Sequence, residues 1–210
     1  FILCDAGANA DSKPQHLVQF ALMAAAYIEH LENRPNPKVA LLNIGKEENK
    51  GNELTTATYP LLKEHINNFI GNIESRYILE GHADVVICDG FTGNMVLKLT
   101  EGITSHLMNW IRERISSHDI DSNTVKKISP VFNDIINTLD HEEHGATPLL
   151  GIDGVVMKCH GSSSSKGIKN SIIAAQKSIE ENLIENIAEI LSNHDIIDEN
   201  YNQISEKKPV

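Results

Sequence analysis

The stretch Cys88-Asp89-Gly90-Phe91-Thr92-Gly93-Asn94-Met95-Val96-Leu97-Lys98 joins an apolar run, Ala83–Ile87, to an amphipathic run. A strand that ends at a glycine turn and continues as a helix exposes backbone N–H groups, to which the helix dipole adds partial positive charge. Such an arrangement can bind an anion. The same stretch also fits a plain strand-to-helix turn in which the glycines give tight geometry and Asn94 caps the helix. The rest of the chain must decide between the two.

Composition limits the class of protein. A chain of 210 residues with 40% hydrophobic and 22% charged residues forms one large globular domain or two small ones. The net charge of −11 argues against a nucleic-acid binder, and an anionic substrate would need a local basic cluster. Three cysteines, Cys4, Cys88 and Cys159, indicate reduced thiols of a cytoplasmic protein rather than a disulfide framework. No apolar segment approaches the length of a membrane span.

Apolar periodicity predicts an α/β protein. Strands are predicted at Phe1–Asp5, Val39–Gly45, Asn68–Ile73 and Ala83–Cys88, with a fifth inside Leu149–Lys158. Helices are predicted from Pro14 to Leu31, around Leu54–Leu62, at Ser75–Glu80, after Asn94, over 125–139 and from Ile168 to Ile190. This alternation predicts a mostly parallel sheet flanked by helices on both faces. We expect a single α/β domain over 1–193, followed by a polar tail over 194–210.

Two long helical runs, within about 95–141, are joined by the polar link Ser116–Asn123. They predict a protruding helical hairpin, and their long apolar stripes favour a partner subunit. Pro130 is expected to kink or restart the second helix, with Ser129 as its cap.

Ligands of parallel α/β sheets lie at the carboxyl ends of the strands. Four predicted strand-end turns share small residues with Asn, Lys or His, and we expect them to converge: Asp5–Asn9, Asn43–Asn52, Asp89–Asn94 and Lys158–Ser165. The set of cations near these turns would form a phosphate cradle with the N–H groups of Gly93 and Gly161: Lys50, Lys98, Lys158 and His160. Taken singly, each lysine is better explained by solvent exposure.

Several common catalytic motifs do not occur. The sequence contains no Gly-x-Ser-x-Gly elbow, no Walker pattern and no Gly-x-Gly-x-x-Gly fingerprint. The run Ser162–Ser165 fits a flexible turn better than a nucleophile. The motif His141-Glu142-Glu143-His144 does not have zinc-protease spacing and fits a solvated helix end. We therefore expect neither a metal nor a cofactor.

Several motifs resemble the bacterial phosphate acyltransferase (PlsX) family. They are Asp5-Ala-Gly-Ala-Asn9, Leu42-Asn-Ile-Gly-Lys-Glu-Glu-Asn-Lys-Gly-Asn-Glu53, Gly71-Asn-Ile-Glu74, Cys88-Asp-Gly-Phe-Thr-Gly-Asn94 with Lys98, and Lys158-Cys-His-Gly161. The resemblance covers essentially the whole chain, in order, but not the first third or more of the family. Because the chain also begins inside an apolar run, we expect further residues before Phe1.

The resemblance implies transfer of a long-chain acyl group from acyl carrier protein to inorganic phosphate, without a cofactor. It implies a fold similar to isocitrate and isopropylmalate dehydrogenases, a homodimer with its site near the dimer interface, and peripheral contact with the inner membrane surface. One departure concerns the hairpin tip, which is apolar in the family but polar here, with Asp119 and Asp121. This departure weakens the expectation of membrane contact.

Phosphate is already an anionic nucleophile, so the enzyme must position it and stabilise an oxyanion. We assign the catalytic roles to Lys50, for phosphate charge and thiolate departure, and to Asn94, for the oxyanion or phosphate. Matches to the family motifs give the candidate substrate and phosphate ligands: Asn9, Gly45, Glu47, Asn52, Gly90, Gly93, Lys98, Lys158, His160 and Gly161.

Two alternatives stay open. One is a phosphate acetyl- or butyryltransferase that uses coenzyme A. The other is a non-catalytic module for dimerisation and carrier docking, with a basic patch drawn from Arg112, Arg114, Lys126 and Lys127. A dehydrogenase is disfavoured because the sequence lacks a dinucleotide fingerprint.

Overall fold

The computed structural model describes residues 1–118, 121–139, 146–159, 161, 163–194 and 196. The chain divides into two compact units, one of Phe1–Met95 with the chain from Ser178, the other of Val96–Lys177. Each unit is described by itself. A single domain over 1–193 with a tail from 194 stays a prediction.

The first unit is built on a four-stranded parallel sheet. Its strands are β1 (Ile2–Cys4), β2 (Val39–Asn43), β3 (Phe69–Glu74) and β4 (Val85–Ile87). They lie in the order β1-β4-β2-β3, and every neighbouring pair is parallel. The four strands predicted for this part of the chain are therefore confirmed; three are shorter than predicted, and β3 is shifted by one residue toward the carboxyl end. Their carboxyl ends lie along one edge of the sheet.

Helices pack on this sheet and bury its core. Helix α1 (Pro14–Leu31) starts with proline at its first position, where the missing N–H costs nothing, and α2 (Glu53–His65) is capped by Asn52. A 3₁₀ helix, Ser75–Glu80, ends at Gly81 in the left-handed region with φ 73°. Residues of α1, β2 and β4 form the centre of the core, namely Leu17, Val18, Ala21, Ile28, Val39, Leu41, Val85 and Ile87. The prediction of a mostly parallel sheet flanked by helices is confirmed.

Helix α3 (Gly90–Ser117) begins in the first unit and continues into the second. The second unit also contains α4 (Ser122–Leu139), two short strands and most of α5 (Ser165–Glu180). The short strands, β5 (Thr147–Pro148) and β6 (Met157–Lys158), form a separate antiparallel pair. The hairpin arrangement and the dehydrogenase-like fold stay predictions. None of the described helices combines the length and the apolar character needed to cross a membrane.

Several predicted boundaries were wrong. The expected fifth strand does not join the parallel sheet, because the chain folds back at Gly151, with φ 80°, and only two residues pair on each side. Pro130 lies inside a continuous α4 and does not restart it, and the Ser129 hydroxyl donates to the Val125 carbonyl rather than capping. The last predicted helix is two helices, α5 and α6 (Leu183–Ser192), separated at Asn182, which has φ 49°.

Candidate active site

The parallel sheet places three loops side by side. Residues 5–9 follow β1, residues 88–94 follow β4, and residues 44–52 follow β2, and these three strands are neighbours. The predicted convergence of strand-end turns is therefore confirmed for these three. The fourth turn, Lys158–Ser165, follows β6 of the separate antiparallel pair in the second unit. Its convergence with the others stays a prediction.

The loop after β1 is organised by the buried carboxylate of Asp5. One carboxylate oxygen accepts from the N–H groups of Gly7 and Ala8, both at 2.8 Å. The other accepts from the backbone N–H of Asn9 at 2.7 Å and from its side-chain Nδ2 at 2.9 Å. Burial by itself raises the pKa of Asp5, but these hydrogen bonds hold the pKa below its ordinary value. The loop amides are thus occupied by an internal anion.

The amino end of α3 is capped by Asp89, which differs from the predicted cap at Asn94. The Asp89 carboxylate accepts from the Thr92 N–H at 2.9 Å and from the Thr92 hydroxyl at 2.7 Å. The Gly93 N–H donates to the Asp89 carbonyl at 2.9 Å. The helix therefore begins at Gly90, so both Gly90 and Gly93 lie inside it. The Gly93 N–H is already hydrogen-bonded within the helix.

Gly90 and Gly93 let the start of α3 lie directly against the β1 loop. A Cβ on Gly93 would collide with the Asp5 carbonyl oxygen and approach the Cys88 sulfur to 3.0 Å. A Cβ on Gly90 would collide with the Asn9 carbonyl oxygen and approach Asp5 Oδ2 to 2.7 Å. These glycines are required for close packing, and phosphate contact by either one stays a prediction.

Asn94 lies one turn into α3, against the same loop. A Cβ on Gly7 would come within 3.2–3.3 Å of the Asn94 Cβ, Cγ and Oδ1 atoms, so the two residues are adjacent. The Asn94 side chain is exposed and makes no hydrogen bond to any residue that the structure describes. Its amide can therefore donate to a ligand at the carboxyl edge of the sheet.

Lys50 closes the loop after β2. Its N–H donates to the Glu47 carbonyl at 3.2 Å, and its carbonyl accepts from the Asn43 side chain at 2.9 Å. The next residue, Gly51, has φ 107° and packs against Asn43, so a side chain there would be strained and would clash. The backbone of Lys50 is thus fixed while its side chain is exposed.

A groove of about 420 Å³ lies beside this loop, lined by Ile44, Gly45, Lys46, Glu47, Lys50 and Glu74. Two of its charged groups already have partners. Lys46 Nζ lies 4.5 Å from the centre of the Tyr77 ring, and Glu74 pairs with Arg76 at 3.4 Å. Lys50 has no acidic partner among the described residues. Its charge is available to an anion in the groove.

The other predicted ligands have different surroundings. Asn52 caps α2 by accepting from the Thr55 N–H at 2.9 Å, and both nitrogens of Asn9 donate to Asp5. Three more lie in the second unit: Lys98, whose Nζ is 2.8 Å from Glu101, exposed Lys158 in β6, and Gly161 in a turn. His160 and the motif His141–His144 lie outside the described residues.

The cysteines at the strand ends are poor nucleophiles. Burial, with a smaller effect of the Asp5 charge, raises the pKa of Cys4 to about 12. Burial also raises the pKa of Cys88, and the neighbouring Asp89 charge adds to this. Both thiols are therefore neutral near neutral pH, and acyl transfer through either one is disfavoured.

The functional assignments from sequence overlooked four side chains that shape these loops: Asp5, Asn43, Asn72 and Asp89. A usable signal existed for the two aspartates, since each directly follows an apolar run and precedes a glycine within two residues. For Asn43 the signal was a polar residue at the carboxyl end of an apolar strand, and for Asn72 it was a polar residue between two apolar residues of a strand, after Gly71.

Comparison with known proteins shows which family this chain resembles in sequence. Residues 1–186 match the family model described as fatty acid synthesis protein. A phosphate acyltransferase of Desulfitobacterium hafniense (strain Y51) is 49% identical over 187 residues, which are 89% of this chain and 56% of that protein. One from Clostridium perfringens (strain SM101 / Type A) is 46% identical over 190 residues, 90% of this chain and 56% of that protein. One from Thermodesulfovibrio yellowstonii is 45% identical over 205 residues, 98% of this chain and 59% of that protein. The chain thus spans little more than half the length of these relatives.

Proposed function

The chain belongs to the fatty acid synthesis protein family, and from this premise we propose that the protein is an acyltransferase that forms acyl phosphate from inorganic phosphate. The proposed donor is a long-chain acyl thioester of acyl carrier protein. A phosphate oxygen attacks the thioester carbonyl carbon, a C–O bond forms, and the C–S bond then breaks. The electron pair leaves with sulfur, which takes the proton that the attacking hydrogen phosphate loses, to give the free carrier thiol.

The observation that carries this proposal is that an exposed lysine and an exposed asparagine both follow strands at the carboxyl edge of one sheet. Lys50 follows β2, Asn94 follows β4, and these strands are neighbours. Neither side chain has a hydrogen-bond or ionic partner among the described residues. In the proposed mechanism Lys50 offsets the charge of phosphate and of the departing thiolate. Asn94 donates to the oxyanion or to phosphate.

The first prediction concerns these two residues. We expect Lys50→Ala and Asn94→Ala, each in the full-length protein, to lower turnover at least about tenfold with the fold intact, since loss of one oxyanion donor costs about two to three orders of magnitude. Acyl phosphate is trapped with hydroxylamine and counted as hydroxamate. Circular dichroism and unfolding curves verify the fold.

Matched controls come from the opposite end of the same sheet. Lys38 directly precedes β2 and is exposed, and Asn68 directly precedes β3, so Lys38→Ala and Asn68→Ala should retain normal turnover. Near-normal turnover of Lys50→Ala or Asn94→Ala would remove that residue from its role. If the enzyme used acyl-coenzyme A at the same rate as acylated acyl carrier protein, the proposed donor would be contradicted.

The proposal includes a homodimer that acts in the cytoplasm and contacts the inner membrane surface. Exposed apolar residues along α3, including Leu99, Ile103 and Trp110, support a partner subunit, which sedimentation can test. Lys126 and Lys127 of α4 could meet anionic lipid, with about 1 kcal/mol from each. Protein that stays at the bottom of a vesicle flotation gradient would contradict the membrane contact.

A further inference from the structure

Two buried asparagines hold the lysine loop from beneath. Asn43, the last residue of β2, and Asn72, in β3, are each 9% exposed. Asn43 Nδ2 donates to the Lys50 carbonyl at 2.9 Å, and its Oδ1 accepts from the Ile44 N–H at 2.8 Å. Asn72 Nδ2 donates to the Glu47 carbonyl at 2.7 Å. Neighbouring strands thus fix both ends of the turn over 47–50.

The contact from Asn72 bears on the turn itself. The Glu47 carbonyl that accepts from Asn72 also accepts from the Lys50 N–H, at 3.2 Å. A single oxygen atom therefore joins β3 to the backbone of the lysine. Without the Asn72 amide, the Asn43 amide would be the side-chain tie that remains, among the described residues, between the sheet and the turn. Glu48 would still accept from Tyr59 and Lys63 of α2, but the Lys50 side chain would sample a wider range of positions.

We propose that Asn43 and Asn72 are positioning residues, whose amides clamp the turn over 47–50 and thereby place the Lys50 ammonium in the groove. This inference rests on the proposed function, because it assigns Lys50 the task of holding phosphate. A misplacement of about 1 Å in a catalytic group can cost about two orders of magnitude in rate. The clamp therefore contributes to catalysis without touching the substrate.

Asn72→Ala is the informative variant. Asn72 Oδ1 is buried and has no partner among the described residues, so the substitution also removes an unpaired acceptor and we expect the fold to tolerate it. The matched control is Asn68→Ala. Asn68 also donates from Nδ2 to a backbone carbonyl, that of Asn36 at 2.6 Å, but it lies just before β3, away from the groove.

The first measurement is independent of activity. Hydrogen exchange of the Lys50 N–H should be at least about tenfold faster in Asn72→Ala than in the wild-type protein, because the acceptor of that N–H loses its anchor. Asn68→Ala should leave this rate unchanged. An unchanged Lys50 rate in Asn72→Ala would overturn the clamp, even if the wild-type protein made no acyl phosphate and the proposed function had failed.

The second measurement separates positioning from general structure. In Asn72→Ala, kcat/KM for phosphate should fall about tenfold while KM for the acyl donor stays unchanged. In a Lys50→Ala background the same substitution should cost less than about twofold, since no lysine remains to be placed. An equal loss in both backgrounds would overturn the proposal, because Asn72 would then act through something other than Lys50.

Discussion

At the scale of single residues, Asp5 shows that an acidic side chain can occupy what looks like an anion site. Four donors from Gly7, Ala8 and Asn9 converge on its carboxylate. The small residues of this turn are typical of a phosphate loop, but their amides are already paired. A substrate anion must therefore be met by other groups at the same edge, and Lys50 and Asn94 are available.

The lowered pKa of Asp5 predicts a pH-dependent contribution to stability. Burial raises the pKa, but the hydrogen bonds outweigh it and the folded-state pKa lies below the unfolded value of about 3.9. The contribution is therefore fully present above the unfolded pKa and is lost as pH falls through the folded pKa. We expect Asp5→Asn to be less stable than wild type at about pH 7, and the difference to shrink as the pH falls below the unfolded pKa.

Urea unfolding at several pH values measures this difference. Asp11→Asn is the control, since Asp11 is exposed and lies in the same unit. We expect it to leave the free energy of unfolding nearly unchanged at each pH. A difference between wild type and Asp5→Asn that is constant from neutral to acidic pH would show that the Asp5 charge does not carry the effect.

At the scale of elements, sequence signals within a helix predicted its position when neighbouring residues alone determine that position. Proline at the first position of α1 and the apolar spacing from Leu17 to Leu31 were sufficient to predict both ends of that helix. The start of α3 was misplaced because Gly90 and Gly93 look like turn residues in sequence. They lie within the helix, and they are glycine because the Asp5 loop, more than 80 residues away along the chain, approaches too closely for any side chain.

The glycines of α3 give a matched pair for a stability prediction. Gly93→Ala would force a methyl group against the Asp5 carbonyl and should destabilise the protein by about 1–3 kcal/mol. Gly102 lies in the same helix with no atom within 4 Å of an added Cβ. Gly102→Ala should instead stabilise by about 0.5–1 kcal/mol through helix propensity.

Chemical denaturation of both variants tests the pair. We expect the two changes in the free energy of unfolding to have opposite signs, although intrinsic helix propensity favours alanine at both positions. If Gly93→Ala were as stable as Gly102→Ala, then the start of α3 would not pack against the β1 loop as described. Retained turnover in Gly102→Ala would also show that the helix tolerates substitution beyond its first turns.

At the scale of the whole molecule, the sequence pattern was enough to predict which loops lie at one edge of the sheet, but not the order of the strands. The alternation of strands and helices was enough to predict that the Lys50 loop and Asn94 lie at the same edge of the sheet, and the structure adds that β2 and β4 are neighbours. Lys98 and Lys158 lie in the second unit, where Lys98 pairs with Glu101, and their part in the phosphate cradle stays a prediction. For Lys158, the composition of the turn did not encode that its strand, β6, pairs with β5 and not with the parallel sheet.

The packing of α6 on α1 could not be predicted from the sequence either, because the two helices are far apart along the chain. Helix α6 packs on α1, and its Ile187 is 5% exposed. The first unit therefore depends on residues about 100 positions beyond its last sheet strand. The left-handed Asn182 ends the preceding helix and allows α6 to turn onto α1, and asparagine tolerates that conformation better than most residues.

This arrangement yields the last prediction. Ile187→Ala should lower the free energy of unfolding by about 2–5 kcal/mol, because it opens a cavity between α6 and the core. Ile172→Ala, at a position of α5 that is 64% exposed, should change it by less than about 0.5 kcal/mol. Urea unfolding of the two isoleucine variants provides the comparison. Equal stabilities would mean that α6 does not pack against the core of the first unit. Residues other than those of α6 would then have to cover that side of the core.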